Sequence, residues 1–263
     1  MPTTDTPVIH FEEVTKRYGE VTALDSFSLD VRQGETTVLL GLSGSGKTTA
    51  LKLVTGTVTP SEGRVEVRGK DVANWPVIAL RRSIGYVIQE IGLFPHWTVA
   101  RNVALLPRAS GWDRGKTRVR VQELLEEVQL PYDVYGHRYP SQLSGGEAQR
   151  VGVARALALN PDILLMDEPF GALDPITRSR AQTHFLRLRE REKFTTLFVT
   201  HDLPEAFRIG TKIVVMNGGK IVETGAPREL LAGASSPYTR ELLQLTRPEP
   251  VGGGNHIGRE REG

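Results

Sequence analysis

The chain of 263 residues carries 33 lysines and arginines against 31 aspartates and glutamates, which gives a formal net charge of +2. This balance argues against a dedicated nucleic-acid-binding protein, which usually shows a strong basic excess, so we expect no nucleic-acid partner. The sequence contains no cysteine, which excludes disulfide bonds, thiolate chemistry and cysteine–zinc sites.

Two further features argue against a secreted or membrane-embedded chain. No run approaches the roughly 18 consecutive apolar residues that a spanning helix needs. The first ten residues, MPTTDTPVIH, lack the basic start and apolar run of a secretory signal. We therefore expect a soluble chain whose membrane role, if it has one, comes through a partner.

The first part of the chain predicts strands that lead into a glycine-rich loop and a helix. VIHFEEVTKRYG (8–19) and SFSLDVRQGETTVLLG (26–41) mix alternating and continuous apolar residues between turn signals, a pattern typical of strands. KTTALKLVTG (47–56) then predicts a helix that ends at Gly56. GRVEVRGKDV (63–72) indicates a short strand followed by a turn at Gly69.

The pattern changes between about residues 90 and 158, where strand signals are few. GKTRVRVQELLEEVQL (115–130) and GEAQRVGVARALALN (146–160) predict helices. DILLMDEP (162–169) and TTLFVTHD (195–202) are short apolar runs that indicate buried parallel strands, and the segment between them, 177–193, predicts a helix with a charged face. These patterns indicate an α/β core interrupted by a mostly helical insert.

The last part of the sequence predicts a hairpin and a tail. KIVVMNGGKIVETG (212–225) predicts two strands that turn at Asn217, Gly218 and Gly219. After Leu245 the composition shifts to glycine, proline and charged residues, which predicts a disordered tail over 246–263. A docking peptide is the alternative interpretation of this tail.

The glycine-rich loop satisfies G-x-x-x-x-G-K-[ST] in full and predicts a phosphate-binding cradle between a strand and a helix. The backbone N–H groups of such a loop wrap phosphates, Lys47 reaches the outer two phosphates, and the Thr48 hydroxyl can hold Mg²⁺. The expected nucleotide-binding residues are Gly41, Leu42, Ser43, Gly44, Ser45, Gly46, Lys47, Thr48 and Thr49.

A second strand end supplies acidic residues that suit nucleotide hydrolysis. Asp167 and Glu168 end the apolar run ILLMD, at the sheet edge where α/β folds bind ligands. We expect Asp167 to join the Mg²⁺ shell and Glu168 to act as general base toward the attacking water. His201 follows the next predicted strand and reaches the same edge. The residues so far leave a GTPase, a kinase and a mechanical ATPase open.

LSGGEAQR (143–150) is a second candidate anion site, because serine and two glycines open a predicted helix. Together, LSGGE, GLSGSGKT and ILLMDE resemble the ATP-binding cassette (ABC) family, whose signature is usually LSGGQ. The resemblance covers about residues 8–245. It implies an α/β fold with a P-loop NTPase (RecA-like) core, an antiparallel β subdomain and an inserted α-helical signature subdomain. The cassette would span 1–245, with the core at about 1–89 and 159–245 and the insert at about 90–158.

The resemblance also implies a homodimer in which each ATP lies between the cradle of one chain and the signature of the other. The signature would contact the γ-phosphate of the facing ATP, so that ATP closes the dimer and hydrolysis opens it. Its residues here are Leu143, Ser144, Gly145, Gly146 and Glu147.

Other family positions match one at a time. Tyr18 matches the aromatic residue that stacks on adenine, and Gln89 matches the glutamine that contacts Mg²⁺ and the attacking water. Asp174 matches the aspartate of a loop that reaches across the dimer, and His201 matches the histidine that contacts the γ-phosphate. Two positions depart from the family pattern: Glu147 stands where glutamine is usual, and Gly171 stands where serine is usual.

The family resemblance implies membrane partners. The segment IGLFPHWTVARNVALLP (91–107) carries apolar residues next to Gln89, namely Phe94, Pro95, Trp97 and Val99. In the family this stretch borders the groove that receives a coupling helix from a membrane subunit, although some of these residues also suit an ordinary core. We expect two permease subunits at residues 89–99, an extracytoplasmic solute-binding protein acting indirectly, and a peripheral location on the cytoplasmic face of the inner membrane.

Two short stretches, 84–99 and 170–178, resemble the ATPases of importers for quaternary amines such as glycine betaine, choline and carnitine. Many members of that subgroup carry a paired regulatory domain after the cassette, and the 18 residues 246–263 are too few for a domain. An importer of an amino acid, a sulfonate or phosphate is the first alternative. A soluble cassette acting on ribosomes or DNA is the second, although this sequence has one signature and no coiled-coil insert. A non-enzymatic module is disfavoured by Lys47, Asp167, Glu168 and His201.

Overall fold

The computed structural model describes residues 6–89 and 91–245. The described strands are β1 (Ile9–Tyr18), β2 (Val21–Val31), β3 (Thr36–Leu40), β4 (Glu62–Val67), β5 (Lys70–Asp71), β6 (Ile84–Val87), β7 (Ile163–Asp167), β8 (Thr195–Thr200), β9 (Lys212–Asn217) and β10 (Lys220–Gly225). The described helices are α1 (Lys47–Val54), α2 (Val77–Ser83), α3 (Val99–Val103), α4 (Leu105–Ala109), α5 (Arg114–Glu127), α6 (Tyr132–Tyr135), α7 (Gly145–Ala156), α8 (Pro175–Glu192), α9 (Leu203–Ile209), α10 (Pro227–Gly233) and α11 (Pro237–Leu245).

The strands form two sheets. A four-stranded antiparallel sheet has the order β2-β1-β4-β5, and a six-stranded sheet has the order β10-β9-β3-β8-β7-β6. Every pair in the larger sheet is parallel except the β9–β10 hairpin. Strands β3, β7 and β8 are buried at every position, as expected for a parallel sheet covered on both faces.

Two apolar clusters hold these layers together. One lies between the two sheets and includes Phe11 and Phe27, whose rings meet edge to face with centroids 5.1 Å apart. The other covers the opposite face of the parallel sheet and includes Phe170, Phe185 and Phe198. Burying each of these rings stabilises the fold by about 1.5–3 kcal/mol. The well-packed parallel sheet therefore supports the loops at its edge.

Most elements agree with the sequence patterns. The strands near residues 8–19 and 26–41, the helix after the glycine-rich loop, the buried parallel strands and the 212–225 hairpin are all present. The sequence patterns gave no indication of β6, because it has four residues, one of them glycine, at the edge of the sheet. The predicted tail over 246–263 lies outside the described residues.

Between residues 91 and 158 the described residues form α3, α4, α5, α6 and α7 and no strand. This segment leaves the parallel sheet after β6 and returns to it at β7, which pairs with β6. On this basis we propose the same division into a core and a helical insert that the sequence indicates.

Candidate functional site

The glycine-rich loop joins β3 to α1 at the carboxyl edge of the parallel sheet. Two of its glycines lie where no side chain fits. A Cβ on Gly41 would lie 2.3 Å from the carbonyl oxygen of Met216, and one on Gly46 would lie 2.3 Å from that of Ala23. Gly46 also has φ of +98°, in the region that favours glycine. The loop is therefore held between β2 and the end of β9.

Lys47 is buried within this loop. Its Nζ donates to the carbonyl oxygens of Gly41 at 2.7 Å and Leu42 at 2.8 Å, and to Oγ of Ser45 at 3.3 Å. Burial lowers the pKa of the Lys47 ammonium, while the carboxylates of Glu168 and Asp167 oppose that shift. The ammonium is thus positioned by the loop itself, next to the place where a phosphate would lie.

Asp167 ends β7 and meets the start of α1. The Thr48 Oγ1 donates to Asp167 Oδ1 at 3.1 Å, across 119 positions of sequence. Burial raises the pKa of Asp167; the Thr48 hydrogen bond opposes this shift and the charge of Glu168 adds to it. Among residues 6–89 and 91–245 no cluster of three or more histidine or acidic residues could hold a metal by itself. The oxygen atoms of Thr48 and Asp167, with that of Gln89, are hard donors of the kind Mg²⁺ takes alongside phosphate oxygens.

Glu168 is the centre of a second group of contacts. Its Oε1 lies 3.1 Å from Nδ1 of His201, and Nε2 of Gln89 donates to its Oε2 at 3.5 Å. Its backbone N–H donates to the carbonyl oxygen of Val199 at 2.9 Å, which extends the β7–β8 ladder by one residue. Glu168 has φ of +44°, a left-handed conformation that costs about 1–2 kcal/mol for a residue with a Cβ. The fold therefore maintains a strained backbone that holds this carboxylate in place.

Sheet order explains why these residues meet. Strand β8 lies between β3 and β7, so the glycine-rich loop after β3 and the acidic pair after β7 flank His201, which follows β8. The carboxyl ends of parallel strands share one edge, which is the usual location of ligand sites in α/β sheets.

A cleft of about 430 Å³ opens beside this edge, within the size range of ligand sites. Its lining brings together the ring of Tyr18, the glycine-rich loop, Gln89 and Glu168. Tyr18 is 44% exposed, and the Lys16 ammonium lies over its ring, 4.9 Å from the centroid. In the described part of the chain the cleft lining contains no residue of the 143–147 turn.

The 143–147 turn forms the start of α7. Ser144 is its N-cap: the Oγ of Ser144 accepts from the Glu147 N–H at 3.3 Å, and the Ser144 N–H donates to Glu147 Oε2 at 2.7 Å. The Tyr135 hydroxyl donates to Glu147 Oε1 at 2.8 Å. Partial burial alone would raise the pKa of Glu147, but the hydrogen bonds from Ser144 and Tyr135 and the charge of Arg150 outweigh it and lower the pKa. No pattern in the sequence indicates that Tyr135 supports this turn.

The two glycines of the turn differ in their exposure. Gly145 is exposed, whereas Gly146 is buried against the start of α8, where a Cβ would lie 2.4 Å from Cγ2 of Thr177. Leu143 packs half-buried on the larger core. Exposed Asp174 caps α8, with Oδ1 accepting from the N–H groups of Ile176 and Thr177 at 3.1 Å.

The apolar segment after residue 90 is part core and part surface. Val99 is fully buried, so this residue belongs to the core and not to an exposed partner surface. Phe94 is 44% exposed and stacks on Trp97 with ring centroids 4.6 Å apart. Val77 and Ile78 of α2 add further exposed apolar surface. Among the described residues, no helix is both long enough and apolar enough to cross a bilayer.

The sequence of this chain is similar to those of known proteins. A sequence profile of the ABC transporter family matches residues 24–171, more than half of the chain. The osmoprotectant import ATP-binding protein OsmV of Salmonella typhimurium is 43% identical over 245 residues, which are 91% of this chain and 64% of that protein. The glycine betaine uptake system ATP-binding protein YehX of Escherichia coli is 43% identical over 236 residues, which are 90% of this chain and 76% of that protein. The chain thus spans just under two thirds of the length of OsmV.

A solved structure agrees with these matches. The ATP-binding cassette MJ0796, in a dimeric post-hydrolysis state bound to ADP and Pi, superposes with a TM-score of 0.74 at 32% identity, over 84% of this chain and 99% of that chain. The P-loop NTPase fold class predicted from the sequence is confirmed. The chain belongs to the ABC transporter family and is one of its ATP-binding ATPase cassettes.

Proposed function

We propose that this chain is the ATP-hydrolysing subunit of an importer, in which two copies close on two ATP molecules and drive two membrane permease subunits. The proposed location is the cytoplasmic face of the inner membrane, and an extracytoplasmic binding protein delivers the solute. The proposed solute is a quaternary-amine osmoprotectant such as glycine betaine, which accords with the relatives OsmV, an osmoprotectant import protein, and YehX, a glycine betaine uptake protein.

One observation carries the hydrolytic part of the proposal. The Glu168 carboxylate lies in contact with His201 and near Gln89, in a cleft that is also lined by the loop around Lys47. A base held by a histidine, in a cleft that also presents a phosphate-binding cation, suits phosphoryl transfer to water.

The proposed reaction uses this chain's residues as follows. Tyr18 stacks on the adenine, and Lys47 donates to the outer phosphate oxygens in place of the loop carbonyls that it now contacts. Glu168 takes a proton from the attacking water as the water oxygen bonds to the γ-phosphorus and the bond to the ADP oxygen breaks. His201 holds the Glu168 carboxylate and faces the γ-phosphate. The products are ADP and inorganic phosphate.

A magnesium ion would be held by the Thr48 hydroxyl, the Asp167 carboxylate and the Gln89 amide oxygen. When bound, it would neutralise charge on the phosphate oxygens. The Thr48–Asp167 hydrogen bond supports this assignment, because it brings together two oxygen atoms from distant parts of the sequence.

The proposed dimer assigns the 143–147 turn to the partner's nucleotide. Ser144 and Gly145 are exposed at the start of a 12-residue helix, and the dipole of a helix start favours an anion. The turn is missing from the described lining of this chain's own cleft, which supports a role toward a second copy. ADP has no γ-phosphate to bridge the two copies, so hydrolysis would release them.

The test of this function is an ATP-dependent dimer. Glu168→Gln keeps the cleft but removes the base, so the variant should bind ATP and elute as a dimer in size-exclusion chromatography with ATP and Mg²⁺, and as a monomer with ADP. The further substitution Ser144→Arg should abolish the dimer while leaving ATP binding to each monomer intact. A Glu168→Gln variant that stays monomeric with saturating ATP would contradict the shared site. Reconstitution with its permease and binding protein, followed by uptake of labelled glycine betaine, tests the solute.

A further inference from the structure

A second pocket lies among the helices of the insert and shares no lining residue with the ATP cleft. It has a volume of about 300 Å³ and is bounded by α3, α4, α5 and the chain around α6. Its lining is strongly basic, and no aspartate or glutamate of the described residues takes part in it. The basic residues are Arg101, Arg108, Arg114, Arg118 and His137.

The positive charges of this pocket are not neutralised within the described chain. The exposed side chains of Arg108, Arg114 and Arg118 form no ion pair or hydrogen bond with the described residues. Two carboxylates lie close by: that of Asp113 caps α5 by accepting from the Lys116 N–H at 2.9 Å, and that of Glu126 accepts from the Tyr132 N–H at 3.3 Å. Like charges lining one concave surface repel each other and raise its local positive potential, which favours an anion there.

Thr117 lines the pocket and is 3% exposed. Its Oγ1 is buried without a hydrogen-bond partner among the described residues and has almost no accessible surface, so the hydroxyl is not presented to the pocket. Arg114 and Arg118 stand four positions apart on α5 and therefore share one face of the helix, with Thr117 between them.

We propose that this pocket binds a small anion that carries phosphate groups, at a site separate from the ATP cleft. Guanidinium groups donate paired N–H bonds that match the oxygens of phosphate, and several of them together favour a multiply charged group over a single carboxylate. Ala104, Val121 and the ring of Tyr132 form an apolar wall along which the body of the anion lies. This assignment does not depend on the proposed transport function.

Calorimetric titration of inorganic pyrophosphate into the full chain tests the site. All proteins in the titration carry Lys47→Ala, which weakens the competing phosphate cradle. The pair Arg114→Ala and Arg118→Ala should weaken pyrophosphate binding at least tenfold. The pair Arg180→Ala and Arg228→Ala removes the same charge from exposed positions elsewhere and should leave the affinity unchanged. Thr117→Val keeps the side-chain shape and replaces a hydroxyl that has almost no accessible surface, so it is a second control that should leave the affinity unchanged.

A second arm identifies the source of the phosphate. Sedimentation with vesicles of phosphatidylglycerol, against vesicles of phosphatidylcholine, asks whether a lipid headgroup fills the pocket. Binding to the anionic vesicles that is lost in the Arg114 and Arg118 variant supports the site with a lipid as its source, whereas pyrophosphate binding alone supports a free anion. The proposal is overturned if neither probe binds, or if both bind the variant as well as the parent. A carboxylate from a partner protein would then be the alternative occupant of the pocket.

Discussion

Arg155, in the last turn of α7, donates both ends of its guanidinium group to the segment just after Gln89. Its Nη1 donates to the carbonyl oxygen of Gly92 and its Nη2 to that of Ile91, each at 2.7 Å. Burial lowers the pKa of Arg155. The helix that begins with the signature turn is thereby tied to the loop that carries a glutamine of the ATP cleft.

Arg155→Ala should therefore loosen that loop and destabilise the fold. Hydrogen bonds from a charged group contribute about 1.5–3 kcal/mol, and the variant leaves the carbonyls of Ile91 and Gly92 without their donor. We expect a loss of about 2 kcal/mol in urea unfolding and a fall in ATP hydrolysis that persists at temperatures where the variant is fully folded. Arg228→Ala, at an exposed position of α10, is the matched control. Unchanged hydrolysis in a folded Arg155→Ala protein would show that the contact is structural only.

Gly146→Ala should test the close packing of the signature turn on α8. The added methyl group would lie 2.4 Å from Cγ2 of Thr177, so we expect a destabilisation of about 1–3 kcal/mol in urea unfolding. Adding Thr177→Ser removes that methyl and keeps the hydroxyl, and should restore most of the loss. Gly233→Ala meets open space and serves as the control. If the double substitution does not recover stability, the destabilisation by Gly146→Ala does not come from the contact with Thr177.

Asp167→Asn should separate stability from activity. Because burial raises the pKa of Asp167 in the folded chain, its contribution to stability is present at pH below the ordinary aspartate range and is lost as the pH rises through the folded pKa. Above that range the ionised, buried carboxylate is a cost that asparagine does not carry. We expect the variant to be more stable than the parent near pH 7.5, with a difference that shrinks as the pH falls through the folded pKa toward the ordinary aspartate range, and to lose most ATP hydrolysis. Equal stability of the two proteins at both ends of this pH range would contradict the burial argument.

Glu147→Gln should tighten the ATP-dependent dimer. The amide oxygen can still accept from the Ser144 N–H, so the helix start is preserved. The negative charge at the proposed γ-phosphate contact is removed, and the gain should be larger at low salt, where charges are less screened. Sedimentation of the Glu168→Gln protein with and without this change measures the effect, with Glu190→Gln, at an exposed position of α8, as control. A dimer affinity that does not change at any salt concentration would contradict a phosphate near this carboxylate.

The pKa of Glu147 predicts a further trend in the single chain. Since the folded state lowers this pKa, the carboxylate stabilises the fold at neutral pH, and this contribution is lost as the pH falls through the folded value. Glu147→Gln should remove that part of the acid sensitivity, which unfolding midpoints between pH 7 and pH 3 would report.

Local patterns in the sequence were sufficient to predict the strand, loop and helix that carry Lys47 and the glycine turn at 217–219. They also predicted two buried strands, one that ends at Asp167 and one that ends just before His201. Each of these depends on residues adjacent in the chain: apolar runs that are buried on both faces, and glycines at positions of positive φ. The edge strand β6 was missed because four residues with one glycine carry too weak a pattern. The family itself followed from motif chemistry and its order along the chain.

Other features were decided only when the elements packed. The hydrogen bond between Thr48 and Asp167 spans 119 positions, and the contacts of Arg155 with Gly92 and of Gly146 with Thr177 depend on which helix faces meet. Phe94 is exposed and Val99, five residues later, is buried, and the composition of this segment does not predict that difference. Sequence alone determined which chemical groups the protein has and the local structure around them, because those depend on neighbouring residues. Tertiary structure decided which distant groups touch, because that depends on how a sheet and its covering helices fill space together.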